Sequence, residues 1–390
     1  MTTQHFGEQW GDADNEVYKL KRDMTTLEGG SVLVGTLPEG CKYCSAGSKL
    51  VLFVTGLCSS SCYYCPLSTE RAGKDVIYAD EMPVSNERDI IFEAEMINAE
   101  GAGISGGDPL CQIDRTLKYI RMLRKEFGPS FHIHLYTSES KLERDILEQL
   151  IAAGLNELRF HPQSADWSGI ERAVGMDISV GLEIPVIPGK LDTIIETAEH
   201  AEKLGISFLN LNELEASETN FSNLSSLGMR LTDMGSASIQ GSRETAMKVL
   251  EWAASNLEKL SVHFCSSRYK DTVQMRKRLE RRRENVIRPF EETDDDEPLL
   301  ILGIIRAPHK MHLTDEDLEL IYNILTTEFD VPDDLMNIDR QRARIEIAPW
   351  IIDEIANELK RLIDPMPKIE LGIAFEYPSW DRLQTMFNPL

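Results

Sequence analysis

No stretch of this 390-residue chain approaches eighteen consecutive apolar residues, so it offers no candidate for a membrane-spanning helix. The first twenty residues also lack the apolar core of a signal peptide. The expectation is a cytoplasmic protein with no membrane partner. Positive charge is scarce: 41 Lys and Arg stand against 65 Asp and Glu, a formal charge of −24. That excess disfavours non-specific binding to nucleic acid or anionic lipid by the molecule as a whole. Cysteines are few, and their number, seven, is odd; five of them fall between Cys41 and Cys65. Clustering of this kind argues against a disulfide framework and for metal ligation in a reducing compartment. No internal repeat longer than a strand–helix unit is visible.

The strongest local signal is Lys49 to Cys65, KLVLFVTGLCSSSCYYC. Its apolar run, Leu50 to Val54, reads as a buried strand of a parallel sheet, closed by Thr55-Gly56. Cys58, Cys62 and Cys65 follow at once with spacing C-x3-C-x2-C. Downstream, strand and helix patterns alternate from Ser85 to Asn212. Helical spacing marks Ser85 to Glu100, Gln112 to Phe127, Leu142 to Ala153 and Leu191 to Leu204. Strands are expected at Gly101 to Asp108 (with its loop), Phe131 to Tyr136, Asn156 to His161, Ile178 to Ile187 and Ile206 to Asn212. This is the pattern of parallel βα units, either a full or partial barrel or a doubly wound sheet.

The domain reading places a leader and a C-x2-C knuckle (Cys41, Cys44) in residues 1–48. A barrel with a helical extension follows in 49–290, then an acidic linker, EETDDDE, in 291–297, and a small α/β domain in 298–390. Glu213 to Gln240 has little periodicity and reads as a long loop of the kind that is often functional.

Alternation within the strands gives each one two faces. Ile133 and Leu135 share a face, leaving His132, His134 and Tyr136 on the other. Leu158 and Phe160 oppose Glu157, Arg159 and His161. Leu182 and Ile184 oppose Gly181 and Glu183, and Leu209 and Leu211 oppose Asn210 and Asn212. Barrel interiors are ordinarily filled by branched apolar residues. Four successive polar faces therefore point to a lumen built for a polar ligand, because buried polar groups must be satisfied. A shift of register or solvent-facing strands would be the structural alternative.

Three thiolates on one loop leave a metal site incomplete. Zinc knuckles usually pair two C-x2-C units on hairpins, whereas three thiolates with one vacancy suit a [4Fe–4S] cluster with an open iron. Cys58-Ser59-Ser60-Ser61-Cys62-Tyr63-Tyr64-Cys65 resembles the signature of the radical S-adenosylmethionine (SAM) superfamily, and Gly106-Gly107-Asp108-Pro109 resembles that family's second mark. The similarity covers about Leu50 to Asn212. Within the superfamily the chain looks most like an archaeal-type group related to pyruvate formate-lyase activating enzyme. The resemblance implies a partial (βα)6 TIM-like barrel. It implies a [4Fe–4S] cluster on Cys58, Cys62 and Cys65, with SAM chelating the open iron. Tyr64 would then pack near the adenine, and the Gly106, Gly107, Asp108 edge would bind the methionyl amino group. By position His161 and Gln163 are candidates for the ribose and Glu183 for a further SAM contact. The implied activity is reductive cleavage of SAM to a 5′-deoxyadenosyl radical that abstracts hydrogen, with an electron donor such as ferredoxin or flavodoxin. The substrate stays open.

Cys41 and Cys44 lie outside that motif. With Cys265, and His263 or Cys111 as a fourth ligand, they are candidates for a second metal site, zinc or an auxiliary iron–sulfur cluster. Cys111 reads equally well as a buried thiol. Arg276 to Arg283, RKRLERRR, holds six basic residues in eight. An RNA contact is one reading; a solvated helix balancing the acidic linker is preferred. Two rival functions remain: a glycyl-radical activase acting on a partner protein, and a non-enzymatic iron–sulfur or zinc module. The added N- and C-terminal segments count against a minimal activase. A non-enzymatic module would need neither the polar lumen nor the Gly-Gly-Asp segment.

Overall fold

The structure is a computed structural model that describes residues 21–308, 311–363 and 369–390. The first part of the expected leader, residues 1–20, lies outside them. The chain divides into two compact units between Arg278 and Leu279.

The first unit contains β1 (Met24–Thr26), β2 (Val32–Val34), α1 (Glu39–Ser45), β3 (Lys49–Phe53), β4 (Tyr78–Ala79) and β5 (Met82–Pro83). Next come α2 (Glu87–Met96), β6 (Gly101–Ser105), α3 (Ile113–Phe127), β7 (His132–Thr137), α4 (Arg144–Ala153) and β8 (Glu157–Phe160). The run continues with α5 (Ser168–Val174), β9 (Ser179–Val186), α6 (Leu191–Leu204), β10 (Phe208–Glu213), α7 (Phe221–Ser226), α8 (Ser242–Asn256), β11 (Ser261–Cys265) and α9 (Ser267–Tyr269). A π-helical stretch, Lys270–Met275, leads into α10 (Arg276–Val286).

Strands β3, β6, β7, β8, β9, β10 and β11 lie side by side in that order, all parallel. Beyond β11 the sheet continues antiparallel into β2 and β1, and beyond β3 into β4 and β5. This is a partial TIM-like barrel, one parallel strand longer than the six-unit expectation. The extra strand is Ser261–Cys265, whose five residues are all buried. The outward faces supply the core: Leu50, Leu52, Ile133, Leu135, Leu158, Phe160, Leu182, Leu209 and Leu211 pack with Leu117, Ile120, Leu150, Ala198 and Leu250 of the surrounding helices. Asn86 and Asp89 form a reciprocal capping box that fixes where α2 begins.

Cys41 and Cys44 sit on a helix, α1, rather than on a knuckle. Pro38 caps it and Glu39 occupies its first turn, an arrangement that favours a helical start. The second unit holds β12 (Glu292–Thr293), β13 (Leu300–Arg306), α11 (Asp315–Glu328), β14 (Met336–Asp339), β15 (Arg344–Ile347), α12 (Pro349–Leu362), β16 (Glu370–Glu376) and β17 (Gln384–Pro389). Its sheet is antiparallel, in the order β14-β15-β13-β16-β17, with β12 paired to β13. Glu292 and Thr293 of the acidic stretch are therefore part of a sheet. A buried ion cluster ties this unit together: Arg344 meets Glu376 at 2.6 Å and Glu346 at 2.6 Å, and Arg288 also reaches Glu346.

Several arginines of the basic run are engaged. Arg278 bonds Asp80 at 2.8 Å, Arg282 donates to the Pro378 carbonyl at 2.9 Å, and Arg283 to the Asp294 carbonyl at 3.0 Å. Among the described residues no helix is long and apolar enough to cross a membrane.

Candidate active site

The cysteine loop leaves the carboxyl end of β3, where the backbone of β6 keeps it in step. Val54 N donates to Ser105 O at 2.8 Å, Gly107 N to Thr55 O at 2.8 Å and Asp108 N to Leu57 O at 2.7 Å. This zipper explains the two glycines. A Cβ at Gly106 would lie 2.4 Å from Thr55 O, and one at Gly107 would lie 2.4 Å from Leu57 O. A clasp supports the loop from behind: Thr55 Oγ1 donates to Asp75 at 2.8 Å, and Arg115 grips Asp75 and the Val54 carbonyl.

Asp108 is 2% exposed, and donors fill its carboxylate. They come from Leu110 N (3.0 Å), Thr137 Oγ1 (3.0 Å), Ser138 N (2.8 Å) and Ser138 Oγ (2.8 Å). Ser60 Oγ in turn donates to Ser138 Oγ at 3.1 Å. Asp108 thus ties β6 to the end of β7 and steadies the cysteine loop through Ser138.

Cys58 and Cys65 are exposed and Cys62 is half-buried, all three as free thiols. Burial raises the Cys62 thiol, and neighbouring Cys65 and Cys58 add to the shift. The Cys62 thiol faces Gln163 Oε1 at 3.4 Å. Tyr64 Oη donates to His161 Nε2 at 2.8 Å and accepts from Gln163 Nε2 at 3.3 Å. His161 Nδ1 donates to Glu183 O at 3.0 Å, which assigns the neutral tautomer with its proton on Nδ1. Burial holds the His161 pKa below its ordinary value. Four residues singled out for SAM, Tyr64, His161, Gln163 and Glu183, therefore form one chain of contacts ending at Cys62.

Below this chain lies the polar lumen. Arg159, 2% exposed, donates to Glu157 at 2.6 Å, to Glu183 at 3.1 Å and to Cys41 Sγ at 3.4 Å. Glu183 also accepts from Asn210 at 2.9 Å and Asn212 at 2.8 Å. Desolvation works against the Glu183 charge, but Arg159 and the two amides outweigh it and hold its pKa low. The inward faces read from alternation thus do meet.

Asn210 Nδ2 also donates to Cys41 Sγ at 3.3 Å, and Lys49 is an electrostatic neighbour of Cys44. Cys41 and Cys44 are both electrostatic neighbours of the Cys265 thiol, which burial pushes up to about 12. The structure brings these three cysteines into one region. It separates Cys111 from them, because Cys111 is exposed beside Cys58 and Asp108. His263 pairs with Asn210 at 3.3 Å.

The latch on the cysteine loop had no signal in the sequence beyond low periodicity. From the 213–240 segment, Asn220 Nδ2 donates to Tyr64 O at 2.9 Å and Thr219 Oγ1 to Leu67 O at 2.7 Å, while Glu218 accepts from Thr69 N at 2.9 Å. Asn220 is buried, so its amide is committed to this contact.

These residues fit an iron–sulfur cluster better than a single ion. Among the described residues, the set bringing three ligand atoms within 4.8 Å of one another is His132, His134 and Glu157, not the loop cysteines. A mononuclear ion needs its thiolates to converge, whereas a cubane takes each thiolate on a different iron.

Comparison with known proteins agrees with this geometry. Residues 52–211 match the model of the radical SAM superfamily, and residues 299–390 match a domain of unknown function. A Methanocaldococcus jannaschii protein named "Putative glycyl-radical enzyme activating enzyme" is 37% identical over 369 residues, covering 91% of this chain and 93% of that protein. Solved structures are similar more remotely. Streptococcus suis SuiB bound to SAM is 13% identical, with a TM-score of 0.39 over 56% of this chain and 50% of its own. Kitasatospora setae TsrM, a methyltransferase with cobalamin and a [4Fe–4S] cluster bound, is 12% identical, with a TM-score of 0.33 over 48% of this chain and 38% of its own. The chain thus spans half or less of the length of these two solved enzymes. Motif, parallel topology and a relative matched over nearly the whole length converge on one conclusion: this chain belongs to the radical SAM superfamily, in the branch related to pyruvate formate-lyase activating enzyme, and is an enzyme that works with a [4Fe–4S] cluster and S-adenosylmethionine.

Proposed function

We propose that Cys58, Cys62 and Cys65 hold the cluster and that SAM lies between the Gly106–Gly107 backbone edge and the Tyr64, His161, Gln163 and Glu183 chain. When bound, the cluster and SAM together supply reductive cleavage to a 5′-deoxyadenosyl radical, which abstracts hydrogen from a substrate. The observation that carries the assignment is the Cys62–Gln163–Tyr64–His161 run of contacts, which joins the cysteine loop to the fourth parallel strand. Asp108, filled by protein donors, is a positioning residue: it holds the Gly-Gly edge rather than contacting the ligand. Tyr64 and Gln163 orient one side of the ligand site, and Glu183, kept charged by Arg159, offers a fixed negative group below it. A one-electron donor such as ferredoxin or flavodoxin supplies the reductant.

On the substrate class a separate observation bears, the name of the M. jannaschii relative. It favours a second, finer reading in which hydrogen is taken from a glycine of a partner protein. Cys41, Cys44 and Cys265 form a candidate second thiolate site, and since they too do not bring three ligand atoms within 4.8 Å, an auxiliary cluster suits them better than zinc. Unchanged metal content in a Cys41→Ala, Cys44→Ala variant would remove it.

The test is anaerobic reconstitution and reduction followed by incubation with SAM. Formation of 5′-deoxyadenosine by wild type, and its loss in Cys62→Ala, is expected. No product together with no SAM binding would return the loop to a non-enzymatic metal module. Deuterium from a Cα-deuterated glycine in a partner protein should appear in 5′-deoxyadenosine under the activase reading.

A further inference from the structure

A second set of donors stands at the opposite end of the lumen from the cysteine loop. His132 and Glu157 are the first residues of β7 and β8, and His134 lies two positions along β7. One nitrogen from each imidazole and one Glu157 oxygen lie within 4.8 Å of one another. His134 is 0%, Glu157 1% and His132 8% exposed.

Two ring nitrogens in this group have no hydrogen-bond partner. His134 Nε2 meets Tyr136 Oη at 3.2 Å, while its Nδ1 has no hydrogen-bond partner. His132 Nε2 also has none, and lies 3.9 Å from Glu157 Oε2. Glu157 Oε1 is taken by Arg159 Nε at 2.6 Å, leaving Oε2 toward the imidazoles. A buried polar atom without a partner costs about 1–3 kcal/mol, so two in one pocket beside a carboxylate call for a ligand.

Each donor is held from behind. The Tyr43 ring stacks on His132 at 5.5 Å, and the backbone of α1 packs on the unpartnered side of His134, where a Cβ at Gly40 would lie 2.5 Å from Nδ1. Tyr136 and Arg159 serve His134 and Glu157 in the same way. Outer partners of this kind orient metal ligands.

We propose that His132, His134 and Glu157 form a binding site for one divalent transition-metal ion of the zinc or iron(II) class, separate from the cluster loop. Two imidazoles and one carboxylate suit such ions, whereas calcium and magnesium take oxygen ligands. The site lies at the amino-terminal end of the parallel strands, the end of a barrel that serves stability rather than catalysis. The ion is therefore structural: it ties β7 and β8 together beneath α1, whose Tyr43 and Gly40 press on the two histidines. Nothing in this rests on the assignment of the cysteine loop.

Cobalt(II) titration of the metal-free, full-length chain tests the site. Imidazole and carboxylate ligation gives visible d–d bands without the near-ultraviolet charge transfer of thiolate ligation. His132→Ala and His134→Gln are each expected to lose one equivalent of cobalt while keeping every thiolate charge-transfer band. Zinc should raise the melting temperature of wild type, and raise it less in both variants. His132 lies at the strand end, so its truncation tests the site even if His134→Gln fails to fold. Equal cobalt stoichiometry in wild type and His132→Ala, or loss of a thiolate band with the missing equivalent, would overturn the proposal.

Discussion

Replacing Gly107 by alanine should cripple SAM cleavage without emptying the cluster loop. The added Cβ would stand 2.4 Å from Leu57 O and 2.7 Å from Gly56 O, against the 3.4 Å of ordinary contact. Both neighbours are backbone atoms and no rotamer change can relieve them, so the loop or the Gly-Gly edge must move by about 1 Å, the difference between 3.4 and 2.4. Overpacking of this kind costs roughly 1–3 kcal/mol of stability. The functional cost should be larger, because a misplacement of about 1 Å can lower a rate by roughly a hundredfold, or ~2.7 kcal/mol of barrier. The three cysteines themselves are unchanged, so iron content should hold. The assay is 5′-deoxyadenosine formation by reconstituted, dithionite-reduced protein at saturating SAM, with iron measured on the same sample. Gly175→Ala is the control: its Cβ would meet Arg172 O at an ordinary 3.5 Å, and its activity should match wild type. If Gly107→Ala runs within threefold of wild type at equal iron, the close approach of the two backbones has no role in placing the ligand.

Other outcomes follow from the same contacts. Tyr64→Phe removes the hydroxyl joined to His161 and Gln163 and should weaken SAM binding by roughly 5- to 30-fold, about 1–2 kcal/mol for two hydrogen bonds; an equilibrium-dialysis Kd within twofold of wild type would contradict this. Arg159→Leu strips the cation from buried Glu157 and half-buried Glu183 and should cost about 3–5 kcal/mol in urea unfolding. That deficit should shrink in acid, where the abandoned carboxylates can take protons; a deficit under 1 kcal/mol would show that the lumen relaxes around the lost charge. His263 is buried and its pKa is pushed down to about 4, so between that value and its unfolded value near 6.5 the unfolded chain binds the extra proton and folding loses stability as pH falls. The loss from this one group between pH 7 and pH 5 is roughly 2 kcal/mol. His263→Gln should be that much less acid-sensitive than wild type in urea titrations, and parallel pH profiles would refute the assignment.

Much of the barrel was legible because its signals are local. α6 occupies the residues that helical spacing indicates, Leu191 to Leu204. Alternation placed His134, Arg159, Glu183 and Asn210 on one face, and their side chains do meet. Less was legible where the cause is distant. The C-x2-C pair says that two thiols are close, not that Pro38 starts a helix carrying them into the lumen. β14 and β17 lie at the edges of the second sheet, with mixed exposure that leaves no clean alternation. Asp108 reads as a ligand-binding acid in the motif, yet Thr137 and Ser138, some thirty residues later, consume its oxygens.

The sequence alone determined the chemistry. Three cysteines on one loop after a buried strand, followed by a Gly-Gly-Asp turn, carry their meaning in short spacings, and short spacings survive without knowledge of the fold. The parallel pairing of successive strands through helical crossovers followed as well, while the choice of a barrel over a doubly wound sheet came from the family resemblance. Only the tertiary structure decided which polar groups are already satisfied. Whether Asp108 is free or filled, whether Cys111 belongs with Cys58 or with Cys41, and whether His132 and His134 face a carboxylate are set by contacts across tens to hundreds of residues. A buried polar group costs free energy until it finds a partner, and the partner is chosen by the folded surface around it rather than by its neighbours in the chain.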